Sequence, residues 1–162
     1  MKRGAPRSPP FAYTTVFRCT EGLGQVRAAS AGGDGYLNVR QQSESVSNVV
    51  LALEPEESVT TAHPAETIGY LAIESGTSFW SGLFLEANKT PAIATDTWNT
   101  HSFESVYLDS PALLSNLATY NGRNNSNLRY NNLTASNVQF QVSEVTTFDS
   151  EVILGTDESV AR

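Results

Sequence analysis

The chain has 162 residues, of which 40% are hydrophobic and 17% are charged, and its formal net charge at pH 7 is −7. This acidic balance argues against nucleic acid and anionic membranes as partners, because both carry dense negative charge. No apolar run approaches the roughly 18–20 residues that a membrane helix requires, so we predict no membrane insertion.

The first ten residues, 1–10, are predicted to form a flexible basic arm. They contain no acid and three basic residues, Lys2, Arg3 and Arg7. The residues that follow hold no long apolar run before Arg18, so no signal peptide is predicted. Cys19 is the single cysteine, which excludes an intramolecular disulfide, and we interpret it as a small buried apolar side chain.

After the arm, apolar and polar residues alternate with a period of two, which predicts many short β-strands and almost no helix. In chain order the predicted strands are YTTVFRC (13–19), QVRAAS (25–30), GYLNVRQQS (35–43), NVVLALEPE (48–56), TIGYLAIES (67–75), FWSGLFLEA (79–87), HSFESVYL (101–108), ALLSNLATY (112–120), SNLRYNNLT (126–134), NVQFQVSEV (137–145) and SEVILG (150–155). Short alternating strands separated by polar turns indicate an all-β sandwich or barrel.

The alternation is clearest near the end of the chain. In NVQFQVSEV we expect Val138, Phe140 and Val142 to point into the core, and Gln139 and Gln141 to face the solvent.

The second half of the chain repeats the first half. Arg40 and Arg129 stand 89 residues apart, and each follows an asparagine by two positions. Glu66 and Glu158 stand 92 residues apart in the similar motifs ETI and ESV. Self-similarity of this kind predicts tandem structural modules.

We therefore predict two tandem, small antiparallel β-sandwich modules, at residues 11–77 and 78–162. The second module stops at Arg162, where the first continues into the strand YLAIES, so either the sequence is truncated there or the second module lacks its last strand and a neighbouring chain supplies it. A lone module of about 65–85 residues is marginally stable. Without disulfides, the modules are expected to pack on each other or on other copies of the chain.

Several motifs occur in an order that is typical of one family. The second half carries TYNG at 119–122, Arg129, and NLTASNVQFQV at 132–142, while the first half carries NVR at 38–40 and HPAETIGYLAIE at 63–74. In this order they resemble the extracellular repeat modules related to H-type lectins, over nearly all of the chain after the basic arm. The first half departs from the pattern by having AGGDGY in place of TYNG and by lacking the leading tryptophan.

The resemblance implies an antiparallel six-stranded sandwich, often tandem and often oligomeric, that is secreted or displayed at the cell surface. For H-type lectins it also implies binding of N-acetylgalactosamine-type sugars at subunit edges. The localisation expected from the resemblance is therefore extracellular or at the cell surface.

Two Asn-x-Arg pairs are the strongest candidates for sugar binding, Asn38 with Arg40 and Asn127 with Arg129. A spacing of two places both members of each pair on one side of a strand, which we take to be the polar side. A guanidinium beside an amide can hold vicinal hydroxyls or an acetamido group. The alternative is an outer-face arginine that pairs with a carboxylate across the sheet.

The two tryptophans, Trp80 and Trp98, are ambiguous. Exposed, either would be a platform for stacking a sugar ring, and Trp98 is included among the candidate carbohydrate-binding residues for this reason. Buried, they would be core or interface anchors, and burial is what we expect.

No metal site, cofactor or enzymatic activity is predicted. Four residues, Glu54, Glu56, His63 and Glu66, are weak candidates for a cation site, but their spacing matches no calcium loop and a solvated acidic loop is favoured. Neither of the two histidines nor the cysteine has a partner at catalytic spacing. Three sequons could carry N-linked glycans, at Asn88, Asn124 and Asn132.

Two functional hypotheses follow. The first is a lectin-like binding or adhesion protein that recognises carbohydrate. The second is a structural subunit that self-assembles into a fibre or shell by strand exchange, so that other copies of the chain are its partners. The expected donor strand lies at the N-terminus and alternates four residues on one side: Phe11, Tyr13, Thr15 and Phe17.

Overall fold

The computed structural model describes residues 21–28, 37–45, 48–55, 65–121, 125–144 and 158–161. The strands in these ranges are β1 (Glu21–Ala28), β2 (Leu37–Glu44), β3 (Val49–Pro55), β4 (Thr67–Ile73), β5 (Gly76–Trp80), β6 (Leu83–Ala87), β7 (Asn99–Ser102), β8 (Asn116–Leu117), β9 (Ser126–Asn131), β10 (Asn137–Glu144) and β11 (Val160–Ala161). None of the described residues is helical, which confirms the predicted all-β class for this part of the chain. The described residues therefore contain no apolar helix long enough to span a membrane.

The strands form small antiparallel sheets. In the first half β1 pairs with β4 and β2 pairs with β3. The two pairs meet at Gly24, where an added Cβ would lie 2.6 Å from Cγ1 of Val39 and 3.0 Å from Cδ1 of Leu51. Since neither distance leaves room for a side chain, glycine is required for β1 to approach β2 and β3 this closely.

Residues 79–87 form part of a hairpin, so the prediction of one continuous strand there is wrong. β5 pairs with β6 across a two-residue turn at Ser81 and Gly82, whose φ angles are 51° and 84°. Two positive φ angles define the type I′ turn, which matches the twist of paired strands. The Ser-Gly dipeptide was the local signal for this turn. The predicted module boundary at 77/78 falls inside β5.

The second half is centred on a three-stranded sheet with the order β7-β10-β9. Val138 and Phe140 of β10 are fully buried and Val142 is 5% exposed, which confirms their predicted place in the core. Gln139 and Gln141 lie on the opposite side of β10 and are half-buried. The buried side contacts Leu117 of β8, Val160 of β11 and Ala94, which complete one apolar cluster.

The two strands predicted at 101–108 and 112–120 are much shorter than expected. Residues 103–115 lie outside the strands, because their backbone hydrogen bonds are made with the 134–137 turn and not with a neighbouring strand. The amide of Phe103 donates to the carbonyl of Ser136, and the amide of Tyr107 donates to that of Ala135. The Phe103 and Tyr107 rings also pack edge to face, with centroids 5.5 Å apart. The segment therefore closes one end of the core without joining a sheet.

The segment 158–161 is held on both sides. The amide of Thr90 donates to the carbonyl of Val160, and Glu158 exchanges two backbone hydrogen bonds with Ala94. On the other side, the amide of Ala118 donates to the carbonyl of Ser159. This position carries the side chain of Glu158 into the interior, where it is 2% exposed.

Candidate functional site

One side of the β7-β10-β9 sheet is buried and the other presents polar side chains to the solvent. The register pairs Gln139 of β10 with Thr100 and Asn131, and Gln141 with Arg129. Because side chains alternate along each strand, the residues opposite the core share one surface, which we call the polar face. Its members are Thr100, Ser102, Asn127, Arg129, Asn131, Asn137, Gln139, Gln141 and Ser143.

Hydrogen bonds fix the two glutamine amides at the centre of the polar face. Nε2 of Gln139 donates to the hydroxyl of Thr100 at 3.2 Å, and its Oε1 accepts from Nδ2 of Asn132 at 2.5 Å. Nε2 of Gln141 donates to the carbonyl oxygen of Asp96 at 2.5 Å. With its nitrogen held at the sheet edge, the amide oxygen of Gln141 can accept a hydrogen bond from a ligand.

Trp98 lies at the edge of the polar face. It sits between Asp96, whose carbonyl binds Gln141, and Asn99, which pairs with Phe140. These two contacts place the backbone of Trp98 beside Gln141, immediately before β7 begins at Asn99. The ring is 42% exposed, so the expectation of burial is wrong for this residue.

Arg129 lies across the sheet from Trp98 and is also exposed. Within the described residues, neither its guanidinium nor the side-chain amide of Asn127 makes a hydrogen bond or ion pair. The structure thus places two of the five sequence-predicted sugar-binding residues, Asn127 and Arg129, on one surface, and a third, Trp98, at the edge of that surface.

The other two candidates are elsewhere. Arg40 is 1% exposed, so its predicted position on a solvated polar face is wrong. Its Nη1 donates to both carboxylate oxygens of Glu54, at 2.9 and 3.1 Å. Its Nη2 donates to Oε1 of Glu158 at 2.5 Å and to the backbone carbonyl of Thr119 at 3.0 Å. The Tyr120 ring covers the guanidinium, with its centroid 4.6 Å from Cζ.

Glu158 is held as firmly as Arg40. Besides Arg40, its carboxylate accepts from the hydroxyl of Thr119 and from the amide of Asn121, the latter at 3.1 Å. A buried charge is tolerated only when it is paired and its remaining lone pairs are satisfied, and Glu158 meets both conditions.

Asn38, the other predicted site residue of the first half, belongs to the same polar interior. Its Nδ2 donates to Oδ1 of Asn125 at 2.5 Å and to the carbonyl of Ser126 at 3.2 Å. The fully buried Asn125 donates in turn to the carbonyl of Glu54 at 2.6 Å. The Asn-x-Arg pair of β2 therefore joins the first half of the chain to the second, and we call this set of contacts the buried polar network.

Glu54 is the carboxylate most affected by this position. Burial raises its pKa above the ordinary value of 4.5, and this outweighs the opposing effects of the Arg40 charge and of hydrogen bonds from Arg40, Tyr120 and the Ser126 amide. Burial and the neighbouring carboxylate of Glu54 likewise raise the pKa of the Tyr120 hydroxyl.

A raised pKa makes part of the stability depend on pH. The protonated form of Glu54 is favoured by folding, so its contribution is complete below 4.5 and is lost as the pH rises through the raised value. We expect the urea midpoint of the wild type, relative to that of Glu54→Gln, to decrease as the pH rises above about 4.5. Parallel midpoint curves for the two proteins, or a difference that grows with pH, would contradict this assignment.

The four residues considered for a cation site are not all described by the structure. Glu54 is committed to Arg40 and Glu66 is half-buried, while Glu56 and His63 lie outside the described residues. The described residues contain no cluster of acids, histidines and cysteines that could hold a metal ion.

The three sequons differ in exposure. Asn132 is exposed, and Asn88 is half-buried, with the Thr90 hydroxyl of its sequon accepting a hydrogen bond from the Val160 amide. Asn124 lies outside the described residues. The expected donor strand, residues 11–17, also lies outside them.

Trp80 is exposed, which contradicts the expectation of burial. With Phe79 and Leu83 it forms an apolar tip on the β5–β6 hairpin, and the three side chains are 71%, 78% and 60% exposed, respectively. Among the described residues, the one aromatic ring that Phe79 contacts is that of its strand partner Phe84, with ring centroids 5.2 Å apart. We call these three residues the apolar tip.

Comparisons of the chain with protein families, with curated proteins and with solved structures find no match. The likeness to H-type lectin modules therefore rests on the motifs alone and stays a prediction.

Proposed function

We propose that the protein is a lectin-like carbohydrate-binding protein, built from two small β-sandwich modules and acting outside the cell, whose binding site is the polar face. The observation that carries the proposal is that Asn127 and Arg129 share one surface and have no side-chain partners among the described residues, with the exposed Trp98 at the edge of that surface. An aromatic ring supplies an apolar platform for the C–H side of a sugar, while a guanidinium and amides bind its hydroxyls.

Rigidity supports this assignment. Gln139 and Gln141 are already oriented by hydrogen bonds to Thr100, Asn132 and Asp96, so a ligand need not order them. A preorganised surface loses less entropy when it binds, which is important for ligands such as sugars that gain little from each contact.

The proposal predicts a specific pattern of losses in solution binding to glycans. Trp98→Ala and Arg129→Ala should each weaken the best glycan ligand by about tenfold or more, because each removes a contact worth roughly 1–3 kcal/mol. Isothermal titration calorimetry would measure this. Trp80→Ala is the matched control, since Trp80 is also exposed but lies on the apolar tip. Equal losses in Trp80→Ala and Trp98→Ala, or no binding by the wild type to any glycan, would contradict the proposal.

The second candidate is a structural subunit that self-assembles, and the apolar tip favours it. The hairpin that carries the tip also forms one wall of an apolar groove of about 120 Å³. The other walls come from β1, β4 and the 103–115 segment, and the apolar lining includes Leu23, Ile73, Leu85, Ala87, Leu113 and Leu114. An enclosed cavity of about 150 Å³ holds a benzene-sized ring, so this smaller but open groove can receive part of an aromatic side chain from another copy.

Self-assembly through the tip has a direct test. A Trp80→Ser/Leu83→Ser double variant should remain monomeric at concentrations where the wild type associates, because it removes most of the exposed apolar surface of the tip. Sedimentation velocity would measure the difference, with Trp98→Ser as the control. A wild type that stays monomeric at high concentration would exclude both this route and strand exchange by residues 11–17.

A further inference from the structure

The polar face carries a single charged side chain. Among the members contributed by β7, β9 and β10, only Arg129 is charged, although the chain as a whole carries −7. The acid of β10, Glu144, falls on the side of Val142 because side chains alternate. Asp96 lies at the edge of the face that is opposite Arg129, close to Trp98, where its backbone carbonyl accepts a hydrogen bond from Gln141. The face therefore offers a local positive charge within an acidic protein.

We propose that the sugar bound at the polar face is anionic, with a carboxylate on its ring, as in a uronic or sialic acid. This inference rests on the carbohydrate-binding function proposed above and specifies its ligand class. A guanidinium presents parallel N–H donors that match a carboxylate, and such charge-assisted pairs are about twice as strong as neutral hydrogen bonds. Arg129 has no carboxylate partner within the described residues, so its fork is available.

The row across the sheet accommodates such a ligand. Gln141 and Arg129 occupy adjacent strands, and Trp98 immediately precedes β7 on the other side of Gln141; with strands about 4.8 Å apart, the row spans about 10 Å. A sugar ring stacks on Trp98 at one end and the carboxylate reaches Arg129 at the other. Between them, a ring hydroxyl donates to the amide oxygen of Gln141.

The test compares acidic glycans with neutral forms of the same molecules. Oligogalacturonates and sialylated oligosaccharides would each be titrated as the free acid and as the methyl ester, which keeps every ring and hydroxyl but removes the charge. We expect at least one free acid to bind about tenfold or more tightly than its ester. Added salt should weaken the acid and leave the ester unchanged, because screening acts on the ion pair.

Two variants test whether Arg129 causes the preference for the acid over the ester. Arg129→Gln should bring acid and ester to equal affinity, while Trp80→Ala should leave their ratio as in the wild type. Equal binding of acid and ester by the wild type, or binding of neutral glycans alone, would overturn the inference and leave the carbohydrate-binding function standing. Failure to bind any acidic or neutral glycan would overturn both.

Discussion

Replacement of Arg40 by methionine is expected to lower the free energy of unfolding by about 3–5 kcal/mol. The guanidinium is 1% exposed and forms ion pairs with Glu54 and Glu158, which are 0% and 2% exposed. Without it, both side chains lose their counter-charge and the hydrogen bonds that Arg40 donates, while their other donors remain. Methionine conserves much of the volume of the side chain, so the loss reports on charge and hydrogen bonding more than on packing.

The repeat supplies a control for this experiment. Arg129→Met changes the matching residue of the second half, but Arg129 is exposed and unpaired within the described residues, so stability should change by no more than about 0.5 kcal/mol. Urea denaturation of both variants gives the comparison. Adding Glu54→Gln and Glu158→Gln to Arg40→Met should restore part of the lost stability, since it removes the unpaired charges. Equal effects of the two arginine substitutions would mean that the buried polar network does not hold the fold together.

Replacement of Phe140 by alanine is expected to cost about 3–5 kcal/mol, the range for deleting a large core aromatic side chain. Phe140 is fully buried at the centre of the apolar cluster, and its ring packs on His101 with centroids 5.3 Å apart. The cavity would lie between the β7-β10-β9 sheet and the β8–β11 pair, where neighbouring strands cannot collapse without losing their hydrogen bonds.

Tyr130 is the control for that substitution. It pairs with Phe140 across the sheet but is 56% exposed, so Tyr130→Ala should cost about 0.5 kcal/mol or less. Thermal unfolding followed by circular dichroism would compare the two. A loss of less than about 1 kcal/mol in Phe140→Ala would contradict the place of this residue in the core.

Periodicity predicted the strands well where one face is buried. In β10 the alternation of Val138, Phe140 and Val142 with glutamines is complete, and the structure has the expected core. The same criterion failed for residues 79–87, since a tight hairpin leaves apolar residues on both sides of its turn. It also failed for 103–115, where backbone hydrogen bonds go to the 134–137 turn, a contact that local patterns do not reveal.

The repeat predicted equivalent positions but not equivalent environments. Arg40 and Arg129 occupy matching places in similar strands, yet Arg40 is buried against carboxylates and Arg129 is exposed with no side-chain partner among the described residues. The difference arises from residues far away along the chain, above all Glu158, which is 118 residues from Arg40. The acid that repeats Glu66 was visible in the sequence, but nothing there indicated that it pairs with an arginine of the opposite half.

Trp98 can report directly on the proposed binding of sugar at the polar face. The chain has two tryptophans, so a Trp80→Phe variant emits from Trp98 alone. Titration of this variant with the tightest glycan ligand should produce a saturable change in Trp98 fluorescence, with a midpoint that matches the calorimetric Kd. Saturated binding with an unchanged emission spectrum would place the ligand elsewhere on the protein and contradict the account.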